Sequence, residues 1–293
     1  IQIAYDVWHT IFNILNSIML RNKKQFRGSG IMKVSLVQMD MKFAEPDINF
    51  ARAEQLIRQA AQQGPDIITL PETWNVGFFP KDNLVELSDQ DGYRVKEMCS
   101  KLSKELNVNL VAGSVSNVKN GKVYNTSYVF NRQGECVAEY DKTHLFTPMN
   151  EHDYFAFGDH VSRFTLDGVS CGIIICYDMR FPELIRTMTV PGIDVLFIVA
   201  QWPAARKLHW QILSQARAVE NQCFVVATNS CGAAGETQYG GFSVAYDPWG
   251  EILGSAGAKE MILTVDMDLE IIKGIRESIN VYKDRKPDLY HIG

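Results

Sequence analysis

From residue 31 onward, short runs of β-branched and other apolar residues alternate with stretches of helical periodicity. The strand-like runs are Val34–Val37, Ile67–Leu70, Leu110–Val115, Val123–Phe130, Cys136–Tyr140, Val169–Ile175, Val195–Val199, Phe224–Thr228 and Met261–Val265. The clearest helix runs from Asp47 to Gln63, where Ala53, Leu56, Ile57, Ala60 and Ala61 fall at i, i+3, i+4, i+7 and i+8. Gly64-Pro65 then stops it, because glycine suits a helix C-cap and proline cannot continue the helix. Further helices are expected from about Tyr93 to Leu106, Pro182 to Thr189, Ala204 to Glu220 and Leu269 to Glu277. Asn120-Gly121 and Asp167-Gly168 read as hairpin turns, so some strand pairs are antiparallel. Mixed sheets with interspersed helices point to a layered α/β fold. No linker, repeat or low-complexity tract interrupts residues 31–293, which are expected to form one domain.

Residues 1–30 have a different pattern and read as an N-terminal extension. Ile1, Ala4, Trp8, Ile11, Leu15 and Ile18 recur at alternating steps of three and four, the spacing of a helix with one buried stripe. Such an amphipathic helix would dock on its own domain, on a partner subunit or on a membrane surface. An equal alternative is sequence upstream of a start near Met32. Arg21, Lys23, Lys24 and Arg27 follow the apolar run, whereas a signal peptide places its positive charges before it. Asp6, His9, Asn13 and Asn16 interrupt the run too often for a spanning helix.

Composition narrows the class. In 293 residues, 29 Lys+Arg stand against 34 Asp+Glu, and this net charge of −5 with no basic stripe argues against a nucleic-acid partner. Hydrophobic residues at 46% and charged residues at 22% are those of an ordinary globular domain, with no membrane partner expected. The 6 Cys match no zinc spacing and read as reduced thiols of a cytoplasmic protein. Neither a metal nor a cofactor is expected.

Several apolar runs end abruptly in polar residues: Pro71-Glu72, Asp141-Lys142, Cys176-Tyr177-Asp178, Gln201-Trp202 and Asn229. Ligands of α/β sheets bind beyond the carboxyl ends of strands, so these endings suggest a site along one sheet edge. Glu72, Lys142 and Cys176 are together a complete acyl-transfer set. A thiol attacks as thiolate, a carboxylate can take its proton, and an ammonium can hold the oxyanion. Cys176 falls at a strand-to-helix junction, with Pro182 suited to the first helical turn, which leaves the Tyr177 N–H free to face a substrate oxygen.

The segments Leu70-Pro71-Glu72-Thr73-Trp74, Tyr140-Asp141-Lys142-Thr143-His144-Leu145-Phe146 and Ile175-Cys176-Tyr177-Asp178-Met179-Arg180-Phe181-Pro182-Glu183-Leu184 resemble the three signatures of the nitrilase, or carbon–nitrogen hydrolase, superfamily. The resemblance runs in order from residue 31 to about 285. It implies a four-layer α-β-β-α sandwich, a thioester intermediate, no metal, and a homodimer joined through the sheet layers. By position Glu72 becomes the general base, Lys142 the oxyanion stabiliser and Cys176 the nucleophile. Glu151 matches the family's second glutamate, which helps to position substrate or water. Gln201-Trp202-Pro203-Ala204-Ala205-Arg206, Leu208-His209-Trp210 and Gln215–Gln222 resemble the ω-amidase branch, which releases ammonia from the terminal amides of 2-oxo acids such as 2-oxoglutaramate. Gln201 departs from the Asn that this branch commonly carries before Trp-Pro.

For an acidic small-molecule amide, the far carboxylate needs a cation, and the sequence offers Arg180, Arg206 and Lys207 without choosing among them. Phe78, Phe79, Phe146 and Trp202 are candidate walls, with Trp202 equally suited to the core. Arg180, Asp178 and Glu183 read as a buried ion-pair cluster holding the nucleophile turn, with His144 and His152 as hydrogen-bonded flanks. Cys99, Cys136, Cys171, Cys223 and Cys231 read as structural thiols. Rival functions are a deaminated-glutathione amidase, an N-carbamoyl amidohydrolase or a nitrilase on the same residues, and a non-catalytic protein that kept the fold. Gly168-Val169-Ser170-Cys171-Gly172 matches the G-x-S-x-G serine motif, but a strand rather than a helix is expected after Ser170.

Overall fold

The computed structural model describes residues 30–290 apart from Phe79. The helix expected within residues 1–30 and the candidate wall Phe79 therefore lie outside the described residues. In chain order the elements are β1 (Ile31–Gln38), α1 (Pro46–Ala61), β2 (Ile67–Thr69), β3 (Asp89–Gln90), α2 (Tyr93–Leu106), β4 (Asn109–Val111), β5 (Val115–Lys119), β6 (Lys122–Phe130) and β7 (Cys136–Asp141). They continue as β8 (Ser162–Leu166), β9 (Val169–Ile175), α3 (Pro182–Thr189), β10 (Val195–Ala200), α4 (Lys207–Asn221) and β11 (Phe224–Asn229). The last are β12 (Ala233–Ala234), β13 (Thr237–Gln238), β14 (Val244–Tyr246), β15 (Ile252–Ser255), β16 (Met261–Asp268) and α5 (Ile271–Ser278).

Two mixed sheets stack between two helical layers, as expected. The first sheet is ordered β16-β1-β2-β4-β6-β5-β3, with β7 also paired to β6; the second is β15-β14-β11-β10-β9-β8. The α1 stripe Ala53, Leu56, Ile57 and Ala60 packs with Val95, Cys99 and Leu102 of α2 over the outer side of the first sheet. Val34, Leu36 and Ile67 of that sheet share a core with Ile173, Ile175 and Phe197 of the second. Ile185 and Met188 of α3 and Trp210 and Ala218 of α4 close the opposite side. All six residues of β10 are buried, which is why it reads as an unbroken apolar run rather than an alternating one. Among the described residues, no helix is long and apolar enough to cross a membrane.

Three local outcomes bear on the site. The run Leu110–Val115 is not one strand: Gly113, at φ +63°, breaks it into β4 and β5. A Cβ at Gly113 would lie 2.0 Å from the Pro71 carbonyl oxygen, so only glycine allows the close approach. There the Ser114 N–H donates to Pro71 O (3.0 Å), and the Thr73 N–H donates to Ser114 Oγ (2.9 Å). These bonds fix the turn that carries Glu72. Asp167-Gly168 joins β8 and β9 as an antiparallel pair, as expected. Ser170 lies inside β9 and its hydroxyl donates to Gly192 O (2.8 Å), so the serine motif lacks the strand–turn–helix setting it needs.

The polar strand endings do not lie along one sheet edge. β9, β10 and β11 run parallel within the second sheet. β2 is parallel to β4, and β7 shares that direction because β4 and β7 are both antiparallel to β6. The carboxyl ends of β2 and β10 then meet across the layers, where the Glu72 N–H donates to Ala200 O (3.4 Å). The site is built between the sheets.

Candidate active site

Glu72, Lys142 and Glu151 form one buried cluster, although they come from a turn after β2, the residue after β7 and a short 3-10 turn at Glu151–Asp153. The Lys142 Nζ donates to Glu72 Oε1 (2.8 Å) and to both oxygens of Glu151 (2.9 Å each). Glu72 Oε1 also accepts from Asn125 Nδ2 (2.8 Å), and Oε2 from the Gln201 N–H (2.8 Å). Glu151 Oε2 accepts from the Phe146 N–H (2.6 Å). A lysine and two glutamates are tolerated at 1% exposure or less because each is paired and hydrogen-bonded. Burial alone would favour a neutral Lys142, but the facing Glu151 and Glu72 carboxylates hold its ammonium well above the usual lysine value. Burial likewise lifts the Glu151 carboxyl, against the pull of Lys142.

Cys176 follows β9 directly and opens a 3-10 turn, Cys176–Arg180, ahead of α3. Its φ of +49° is a strained left-handed conformation for a residue with a Cβ. The strain is held by Asp178, a fully buried carboxylate. It accepts from the Ile175 N–H (3.0 Å), the Tyr140 hydroxyl (2.7 Å) and the His144 N–H (2.8 Å), and it faces His144 Nδ1 (2.9 Å). Asp178 thus ties the turn bearing Cys176 to the chain just beyond Lys142. Burial pushes the Cys176 thiol well above its ordinary value, and the Glu72 charge adds to this. Lys142 offsets it only in part. The resting sulfur is therefore a neutral thiol beside a carboxylate, which suits proton transfer at the moment of attack rather than a standing thiolate.

Above this floor opens a cavity lined by Lys142 and Cys176. Phe78, Phe146, Tyr177 and Trp202 wall it, and Arg180 and Arg206 bring two guanidinium groups to it. Arg180 lies over the Trp202 ring at 5.1 Å and Arg206 over the Phe146 ring at 4.9 Å, so each cation is held by stacking on a wall. Phe146 in turn packs edge-on against Tyr177, with centroids 5.0 Å apart. Trp202 is both wall and core: it is 3% exposed, and its ring N–H donates to Arg206 O (2.9 Å). Gln201 lines the cavity, and its side-chain oxygen accepts from Thr73 Oγ1 (2.9 Å). Among the described residues, no group of three or more His, Cys, Asp and Glu is placed to hold a metal.

Some expectations need correction. Arg180, Asp178 and Glu183 do not form an ion-pair cluster, because Glu183 is exposed, Arg180 turns to the cavity and His209, and Asp178 is satisfied by Tyr140, His144 and the Ile175 N–H. Lys207 sits over the Phe242 ring at 3.3 Å, leaving Arg180 and Arg206 as the cavity's arginines. His144 is hydrogen-bonded and stacks on Phe181 at 3.6 Å, and His152, though exposed, lies 3.5 Å from Asp153 Oδ1. Cys136 is exposed on β7 rather than packed. Asn125 was missed, and its signal was a polar residue inside the apolar run Val123–Phe130.

The carbon–nitrogen hydrolase family profile matches residues 33–277. The chain belongs to that family. The hydrolase is 42% identical over 257 residues to the 2-oxoglutaramate amidase of Bacillus subtilis, covering 88% of this chain and 98% of that protein. It is 34% identical over 274 residues to the omega-amidase NIT2 of Homo sapiens, covering 89% and 97%. Its fold matches that of a CN-hydrolase superfamily protein from Xanthomonas campestris, solved with an arsenic adduct in the active site, with a TM-score of 0.82 at 27% identity over 90% of this chain and 99% of the other. Nit3 of Saccharomyces cerevisiae, a nitrilase-superfamily member, matches with a TM-score of 0.81 at 26% identity over 89% and 98%. The hydrolase is thus an amidase acting on non-peptide carbon–nitrogen bonds.

Proposed function

We propose that this amidase hydrolyses the terminal amide of 2-oxo acids, 2-oxoglutaramate foremost, through a thioester on Cys176. The observation that supports this reading is the Glu72 carboxylate bonded to the Lys142 ammonium beneath a cavity lined by Lys142, Cys176, Arg180 and Arg206. Glu72 takes the thiol proton as sulfur attacks the amide carbon. The oxyanion is held by Lys142 and by the Tyr177 N–H, which lies in the first turn of a helical segment and so has no acceptor within it. Glu72 passes the proton to nitrogen, the C–N bond breaks and ammonia leaves. Water then gives a proton to Glu72 and attacks the thioester, and the returning proton restores the thiol. Glu151 anchors Lys142 against the pull of Glu72.

The far carboxylate of such a substrate meets Arg180 or Arg206, while Phe146 and Trp202 flank its short carbon chain. Support for the 2-oxo acid comes from the relatives named for 2-oxoglutaramate and for ω-amides. All six cysteines are free thiols, in keeping with a cytoplasmic enzyme. Leu208, Ile212 and Val219 leave an exposed apolar strip on α4 that favours a homodimer. Catalysis is assigned to residues 31–293, with residues 1–30 as an extension.

A substrate panel tests the reading. Ammonia release is expected from 2-oxoglutaramate with kcat/KM at least about tenfold above that for glutamine, whose α-ammonium would meet the two guanidinium groups. Preference for glutamine, or for an N-carbamoyl amino acid, would overturn it.

A further inference from the structure

His209 lies in the first turn of α4 and is exposed, yet it reaches the catalytic cavity through Arg180, which lines it. Arg180 Nη2 is 3.1 Å from His209 Nδ1. A guanidinium can only donate, so Nδ1 is the acceptor and the ring is the neutral tautomer with its proton on Nε2. The helix start that carries His209 is fixed. Its next residue, Trp210, is buried, donates its ring N–H to Phe242 O (2.8 Å) and packs 5.8 Å from the Trp202 ring. Trp202 is the same ring on which Arg180 stacks. Arg180 is thus held from two sides, by an aromatic face and by a histidine nitrogen. It also closes the turn that begins at Cys176, and Arg217 Nε anchors that turn through Met179 O (2.9 Å). Among the described residues, neither Arg180 nor Arg206 is paired with a carboxylate.

We propose that His209 is a positioning residue for substrate selection: by accepting from Arg180, it aims the remaining guanidinium N–H groups into the cavity to take the far carboxylate of the substrate. The inference rests on the amidase reading above and deepens it, because it assigns that carboxylate to Arg180. A free arginine side chain loses rotamer freedom when it grips an anion, and holding it in place beforehand removes part of that loss from binding. The holder must not cancel the charge. A carboxylate at this place would orient Arg180 as well, but it would also neutralise the cation that the substrate is to meet. A neutral imidazole orients Arg180 and leaves its charge available. His209 touches neither Cys176 nor the reacting amide, so its effect falls on binding of the acid rather than on the chemical step.

The test compares matched amides, such as glutaramate with its far carboxylate and pentanamide with a methyl group in that place. His209→Leu keeps the branched shape and removes the acceptor. KM for glutaramate is expected to rise about tenfold with kcat changed by less than about twofold, while KM for pentanamide stays within about twofold of wild type. His209→Asn puts a side-chain oxygen where Nδ1 stands and should return the glutaramate KM to within about threefold of wild type. An unchanged glutaramate KM in His209→Leu would overturn the inference. So would an equal rise for both amides, or a His209→Asn variant no closer to wild type than His209→Leu. The ratios are read on whichever acid amide the wild type hydrolyses best and on its methyl counterpart. A best acid amide without the 2-oxo group refutes the 2-oxo acid assignment and leaves the His209 comparison decisive. A wild type that does not prefer the acid to its counterpart overturns both.

Discussion

Cys176→Ala is expected to lower ammonia release from 2-oxoglutaramate by about 10⁴-fold or more, while the protein stays folded and still binds substrate. The sulfur is the only protein atom in the scheme that forms a bond to the substrate carbon. Alanine leaves the Glu72–Lys142–Glu151 cluster and the Asp178 ties to the turn intact, so the loss falls on chemistry rather than on fold. The checks are steady-state ammonia release and substrate binding by calorimetry. Cys176→Ser should be nearly as inactive. A hydroxyl ionises less readily than a thiol, and burial already disfavours the anion at this position. Wild-type turnover by either variant would remove Cys176 from the mechanism.

The second large effect is expected from Lys142→Met. Two buried carboxylates would then share the floor without a cation, at a cost of about 3–5 kcal/mol in stability. Losing the oxyanion donor should lower kcat by about 10²–10³-fold. The pH dependence has a definite sign. In the wild type the folded pKa of Lys142 lies above its unfolded value, so its contribution is fully present below pH 10.5 and is lost only as pH climbs through the folded value. In the variant, mutual repulsion raises a carboxylate above its unfolded range. The charged form is then penalised at neutral pH, and the deficit narrows as pH falls and one carboxylate takes a proton. Denaturant unfolding of both proteins between about pH 5 and pH 8 reads this out. A stability deficit that did not narrow toward acid would contradict the paired-carboxylate account.

What could be read from sequence follows from how each residue is held. β9, β10 and α3 were legible because apolar runs and helix-start signals are local, and Glu72, Lys142 and Cys176 stood out as polar residues closing such runs. β8 was not legible, because an edge strand with alternate residues exposed carries a weak apolar signal. The break at Gly113 depends on a carbonyl 42 positions away in sequence (113 − 71), which no local pattern shows. Glu151 sits on a single 3-10 turn without periodicity, so only the family resemblance marked it. The partners of Asp178 were misassigned for a similar reason. Charged neighbours in sequence suggested ion pairs, while the fold brought Tyr140 and His144 from another segment.

The central claim is that the acyl group passes through the Cys176 sulfur, and the most direct measurement is capture of that thioester. Enzyme turning over 2-oxoglutaramate is quenched rapidly in acid, weighed intact and mapped by peptide, with a parallel reaction run in hydroxylamine. A mass increase equal to the acyl group is expected on the peptide containing Cys176, with its loss on chase and a hydroxamate product in the hydroxylamine reaction. Ammonia and free acid formed with no acyl adduct and no hydroxamate would contradict it.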